Sequence, residues 1–435
     1  MKFGTIFKEG EMRSQVSSRR ESSEKIASPT HRKRRSLFYE KPKANDVEPY
    51  VAETFIATSK AISSFVPNTL LDILVDNLAA QNVEALRPFS TNFWGVCLLA
   101  DISDFTRLSG VYCARGKDGL DDLQKATSGY MGSLVNTIYS YGGDVIKFAG
   151  DALVCVFKPE DSTPESYQKS CAYALQCAWV LKDISTPELS LHVGISCGQI
   201  CVGQLGGFEN KWECLISGSC LSDLSICLND APRKQVAITR EVYECLTVIP
   251  NRYLVIDADQ LFSKNYLVEG VCCITAFRLS STKSTLSNYS EDSTLLSQTA
   301  CYVPRPVTQA LMGGSFNFLS ELREVTTVFV KLNGYDHIQH EDLMSLQKYF
   351  YACQDILSES GGFLRQFLID DKGCVLIALW GVPTATFHDD CRRALGATVR
   401  MRSKLLDMKM QCSCGITSGT YVLSDDFFYS HFLLD

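Results

Sequence analysis

The chain alternates between stretches whose apolar residues are spaced for helices and short runs that are apolar throughout. Between residues 51 and 86 the large apolar side chains Phe55, Ile62, Phe65, Leu70 and Leu74 recur at helical spacing, with a break at Pro67. Residues 94–100 then form an apolar run of strand length, of the kind that is buried on both faces. A helical stretch follows. Gly142-Gly143 next introduces two apolar arms, residues 144–148 and 152–157, that read as a hairpin. An alanine- and cysteine-rich helix is predicted over 170–181 and a strand over 189–196.

The pattern then recurs. Residues 325–332 repeat the first strand, Gly361-Gly362 repeats Gly142-Gly143, residues 374–380 repeat the second hairpin arm, and Gly415-Ile416 repeats Gly194-Ile195. The glycine pairs lie 219 residues apart and the Gly-Ile steps 221 apart, so the landmarks keep both order and spacing. This is a diverged tandem duplication. The expected organisation is a polar basic tail over 1–45, a helical lead-in over 46–90, a first α/β domain over 91–279, a Ser/Thr/Asn-rich linker over 280–318 and a second, partial copy over 319–435. After Gly203 the first copy continues for about seventy residues, whereas the second has some sixteen after Gly419, so the second copy is expected to lack its last strand–helix–strand unit and to need a partner surface.

Composition narrows the class. With 435 residues, 46% hydrophobic and 21% charged, the chain can bury a sizeable core, and its net charge of −7 argues against a general nucleic-acid binder. No apolar run reaches the ~20 residues of a membrane helix, and the polar N-terminus lacks the apolar segment of a secretory signal. The nineteen cysteines contain no C-x-x-C pair and no grouping with the six histidines, so they read as reduced, structural thiols of a cytoplasmic protein. The tail carries Arg19-Arg20-Glu21-Ser22, similar to a basophilic kinase site. It also carries a basic cluster at 31–35 that offers a nuclear address or a membrane-surface patch.

Two acids stand out. Asp101 ends the first apolar strand, in Asp101-Ile102-Ser103-Asp104-Phe105-Thr106, and Asp151 lies at the turn of the hairpin, after Lys147-Phe148-Ala149-Gly150. Two carboxylates from adjacent strand ends can hold two Mg²⁺ ions over a triphosphate, and the turn after Asp101 offers backbone N–H groups to phosphate oxygens. Each residue also has a plain structural role. Asp101 can be a helix N-cap, Asp151 a routine hairpin residue and Lys147 an exposed strand position.

Taken with Gly142–Leu153 and Val193-Gly194-Ile195-Ser196-Cys197-Gly198, these motifs resemble class III nucleotidyl cyclases, most of all the soluble, bicarbonate-responsive adenylyl cyclases. The resemblance covers about residues 90–280 and 320–425. It implies an α+β fold of tandem ferredoxin-like βαββαβ domains packed head to tail, the second incomplete. It further implies an adenylyl cyclase that converts ATP to 3′,5′-cyclic AMP and pyrophosphate with two Mg²⁺ per site, Mn²⁺ being able to substitute. By position, Asp101 and Asp151 would be catalytic and hold the metals with the carbonyl of Ile102. Residues Ile102, Ser103, Asp104, Phe105 and Thr106 would wrap the phosphates, and His192 would stand at a phosphate-contacting lysine. Lys147 and Ile216 would mark the counterpart of a bicarbonate site.

The second copy departs from that pattern. Its segment for a transition-state asparagine and arginine would lie past the last residue. Gln366 stands at a purine-contacting lysine, and Leu332 or Asn333 at the first metal aspartate. In the first copy Ser222 and Ile226 stand where asparagine and arginine would be needed, and Ser225 where a bicarbonate-binding arginine belongs. The alternative function is therefore a catalytically deficient module that binds nucleotide or dimerises to regulate. Either way ATP is the expected ligand, with a complete cyclase chain or a second copy as protein partner and no nucleic acid. The residues themselves leave adenine and guanine open, and the resemblance favours adenine.

Overall fold

A computed structural model describes residues 62, 65–81, 86–247, 252–274, 293–304, 308, 321–335, 342–370, 373–382 and 386–423. The basic tail, with its kinase-like site and 31–35 cluster, and residues 424–435 lie outside the described residues, as do Asp371 and Lys372.

The first copy begins with helix α1 (Asn68–Gln81), which starts just after Pro67. Its first two N–H groups are bound by the buried Asp144 carboxylate, at 3.1 Å from Asn68 and 2.7 Å from Thr69. Strand β1 (Phe89–Ser103) follows, then α2 (Phe105–Cys113) and α3 (Lys117–Ser140), the hairpin β2 (Asp144–Ala149) and β3 (Ala152–Phe157), α4 (Pro164–Leu181) and β4 (Ser190–Gly206). The copy continues through β5 (Trp212–Ser217), α5 (Ser219–Asp230), β6 (Val236–Ile238), α6 (Arg240–Thr247), β7 (Leu254–Gln260) and β8 (Tyr266–Cys273). The strands form one sheet in the order β2-β3-β1-β4-β6-β8-β7, with β5 paired to β4.

Strand ends differ from expectation in an instructive way. The hairpin arms are matched nearly to the residue, whereas β1 and β4 extend well past their apolar runs and pair from Phe89↔Gln204 to Ser103↔Ser190. Glycines at 95, 198 and 203 interrupt the apolar pattern without breaking the ladder. At Gly95 and Gly203 a Cβ would lie within 2.9 Å of a neighbouring group. Helix α4 starts earlier than the apolar spacing indicates, because Thr163 caps Ser166 N and Pro164 fills the first turn. Within the stretch read as a linker, α7 (Ser293–Thr299) and a 3₁₀ turn (Ala300–Tyr302) pack onto the first copy through the buried Leu295 and Val303.

The second copy runs β9 (Glu321–Leu332), a 3₁₀ turn (Leu343–Leu346), α8 (Gln347–Ser360), β10 (Phe363–Asp370), β11 (Gly373–Trp380), α9 (Asp390–Asp407) and β12 (Cys412–Leu423). Its sheet order, β10-β11-β9-β12, is that of β2-β3-β1-β4. The repetition extends to backbone detail. Both hairpins carry a bulge at the same place, between Val145 and Lys147 and between Leu364 and Gln366. Both glycine pairs are read the same way. Gly142 and Gly361 take positive φ (78° and 73°) after a helix. A Cβ on Gly143 or Gly362 would meet Phe157 or Trp380 within 2.6 Å.

Register fixes a residue-level correspondence. Val96 pairs with Phe157 and Cys197, and Thr326 with Trp380 and Ser418, so Asp101 corresponds to Lys331. The expectation of Leu332 or Asn333 is thus corrected by one or two residues. A cation stands in the second copy where the first has its carboxylate.

The two copies share their cores. Cys201, Leu205 and Leu215 of the first are buried with Phe350, Phe367 and Trp380 of the second, and Val325, Leu379 and Val382 join the core of the first. Gln347 grips the edge of β4 through both amide atoms, accepting from Gly206 N (2.9 Å) and donating to Gly206 O (2.7 Å). The first copy does not cover the edge strand β12, along which most of the described residues are exposed, Ile416 at 41%. Eleven of the nineteen cysteines are buried and act there as small apolar side chains. Among the described residues no helix is long and apolar enough to cross a membrane.

Candidate active site

Strand β1 carries its apolar run straight into Asp101, which sits between Ala152 of β3 and His192 of β4 in the ladder. The β2–β3 turn is made by Gly150, at φ 72°, and Asp151, whose carbonyl accepts from Ile102 N at 3.3 Å. That bond ties the two acids' backbones together and brings both carboxylates to one sheet end. Asp101 keeps only 20% of its side chain exposed. Burial first, and then the charge of Asp151, push its pKa up to about 6, and burial raises that of Asp151.

Among the described residues no lysine or arginine pairs with either acid. The basic neighbour is His192, whose Nε2 lies 3.5 Å from Asp101 Oδ2. Burial and the nearby Arg233 lower the His192 pKa, so the ring is neutral at pH 7. Two part-buried hard-oxygen groups of like charge, with no lysine or arginine paired to them among the described residues, fit a divalent ion of the Mg²⁺ class, and the Ile102 carbonyl is adjacent. Among the described residues no cluster of three or more His, Cys, Asp or Glu gathers to hold a metal, at this site or elsewhere.

The segment after Asp101 turns sharply. Ser103 is buried, with Oγ 3.4 Å from His192 Nδ1. Asp104 takes a left-handed conformation (φ 68°) and opens α2 without capping it by its side chain. Its carboxylate is instead forked by Arg233, Nη1 to Oδ2 at 2.6 Å and Nη2 to Oδ1 at 2.9 Å, with Arg107 Nε at 3.9 Å. The first turn of α2 therefore keeps N–H groups that no Asp104 oxygen occupies, a ready phosphate cradle. Phe105 packs against the core, and the Thr106 side chain lies outside the described residues. Arg233 was not legible in the sequence. It lies 129 positions from Asp104 and carries no local motif.

On the other side of the hairpin the copies meet reciprocally. Lys147 Nζ donates to Phe367 O, and Gln366 Nε2 donates to Phe148 O at 2.8 Å. Residues 147 and 366, and 148 and 367, are 219 apart like the glycine pairs, so the two bonds are mates about a pseudo-twofold axis. Lys147 is buried, and desolvation lowers its pKa. Glu213 and Cys214 of β5 and Arg365 of β10 act on it electrostatically. Burial pushes the Glu213 carboxyl up to about 7 against the opposing pull of Lys147 and Arg365. Ile216 is buried in the main core, opposite Val202. On α5, Ser222 and Ser225 are part-buried and Ile226 is 57% exposed.

Comparison with known proteins agrees with this geometry. Residues 94–270 match the family of the adenylate and guanylate cyclase catalytic domain. Human adenylate cyclase type 10 is 24% identical over 345 residues, 71% of this chain and 21% of its own length. The photoactivated adenylate cyclase subunit alpha of Euglena gracilis is 27% identical over 169 residues, 38% of this chain and 15% of its own. This chain therefore spans about a fifth or less of the length of these relatives. Among solved structures, a class III adenylyl cyclase-like ATP-binding protein from Pseudomonas aeruginosa superimposes with a TM-score of 0.47 at 14% identity, over 77% of this chain and 76% of that one. The sheet order and this match together make the segment 94–270 similar to class III nucleotidyl cyclase domains.

Proposed function

We propose that the chain is the cyclase portion of an adenylyl cyclase, binding ATP with its polyphosphate on the first copy. The carrying observation is the pair of carboxylates, Asp101 and Asp151, tied at one sheet end beside the uncapped start of α2. Asp101, Asp151 and the Ile102 carbonyl would hold two Mg²⁺, which when bound lower the pKa of an attacking hydroxyl and neutralise phosphate charge. The N–H groups of residues 103–106 bind phosphate oxygens, and neutral His192 donates or accepts without repelling the acids' counter-ions. In the reaction the ribose 3′-oxygen bonds to the α-phosphorus, the bond from that phosphorus to the bridging oxygen breaks, the hydroxyl proton leaves, and pyrophosphate departs.

A second reading, a nucleotide-binding module without turnover, is favoured by one observation. The Gln366 amide is committed to Phe148 O and offers the purine no charge. The described second copy runs to Leu423, short of where the resemblance places an asparagine and an arginine. Chain beyond it, a complete cyclase or a second copy would supply them. Losing one such donor costs about 10²–10³ in rate.

Cyclic AMP formation by the purified chain with Mn²⁺ or Mg²⁺, beside calorimetric nucleotide binding, tests both. Asp101→Ala and Asp151→Ala should each abolish metal-dependent ATP binding, and unchanged affinity in both overturns the assignment. Product that disappears in Asp101→Ala establishes the enzyme. Binding without product establishes the module.

A further inference from the structure

We propose that Arg233 is the polyphosphate-binding cation of this site, reaching it from the β6 side. The inference rests on the nucleotide-binding reading above. Arg233 belongs to the turn between α5 and β6, and backbone bonds pin that turn on both sides of His192. Lys234 N donates to Leu191 O at 2.9 Å, and Val193 N donates to Gln235 O at 3.1 Å. His192 is itself the ladder partner of Asp101. The guanidinium is thus carried by the β4–β6 register to the end of β1, where it forks the carboxylate of Asp104, three residues past Asp101.

The guanidinium is bonded to Asp104, the residue that opens α2. Its side chain is 61% exposed there, and an ion pair so open to water contributes little to stability and is readily exchanged. A polyphosphate seated on the α2 N-terminus presents a denser charge in the same bidentate geometry, which a guanidinium matches better than an ammonium does. Arg107, 64% exposed and 3.9 Å from Asp104, adds a second mobile cation there. Asp104 therefore acts as a placeholder for phosphate.

The test is calorimetric binding of ATP and of AMP to the full chain in the presence of Mn²⁺. Arg233→Ala should weaken ATP by about ten-fold or more while changing AMP little, and Arg233→Lys should fall between. Adding His192→Lys to Arg233→Ala should restore ATP affinity. Asp104→Asn, which releases the guanidinium, should tighten ATP. If Arg233 only anchors the turn, Asp104→Asn and Arg233→Ala will weaken both nucleotides alike, which overturns the proposal. Wild-type affinity for ATP in Arg233→Ala, with binding lost in Asp101→Ala, overturns it while leaving the nucleotide site standing. Failure of the wild type to bind ATP at all removes both.

Discussion

At the scale of single residues, the duplicated position 147/366 shows how much one side chain decides. Both members reach across the pseudo-axis to a main-chain oxygen, yet one is a buried ammonium and the other a neutral amide. Phe148 O and Phe367 O are therefore each satisfied by a side chain of the other copy. Gln366→Ala leaves Phe148 O without that donor and should destabilise the chain by about 1–3 kcal/mol, read by denaturant melts. A loss under half of that would show that water replaces the amide. Asp101 stands out in the sequence because a carboxylate ends an apolar run, and Asp151 because it sits in the turn between two apolar arms. Arg233 does not, because its meaning comes only from β4–β6 pairing, and nothing in Pro232-Arg233-Lys234 distinguishes it from an ordinary turn.

Among elements, the hairpin was read well from sequence, whereas the start of α4 and the length of the long strands were not. The β2–β3 hairpin is local, and its arms alternate with their turn residues. The length of β1 and β4 is set by each other, through fifteen consecutive pairs that run over glycines. Helix α1 is another case in which distant chemistry completes a local signal. Pro67 marks the start, but the cap is Asp144, seventy-six positions from Asn68. Asp144→Ala should cost about 1–2 kcal/mol and raise hydrogen exchange in α1 ahead of the sheet. Exchange that rises evenly everywhere would mean that α1 does not depend on this cap.

For the whole molecule, the tandem arrangement was visible as an ordered set of landmarks, whereas the character of the seam was not. It gathers the buried Lys147 with the half-buried Glu213 and Arg365, with Cys214, Cys374 and Tyr302 among the titratable groups around them. Glu213 has its ordinary carboxyl value when unfolded and about 7 when folded, so the folded chain holds the extra proton between those limits. Its contribution to stability is present below the ordinary value and is lost as pH rises through about 7. Thermal melts from pH 4.5 to 8 should therefore show a decline that Glu213→Gln flattens. Parallel slopes in the two proteins would exclude Glu213 as the source.

The reciprocal contact across the seam has one more consequence. In an assembly of two identical chains, a substitution at one pocket is imposed on its mate, so neither can be altered alone. Joining the copies in one polypeptide lifts that constraint. Asp101 of one copy could come to correspond to Lys331 of the other, and Lys147 to Gln366, because each became a separate locus for selection. The chain is free to keep one chamber for chemistry and let its twin drift to another use.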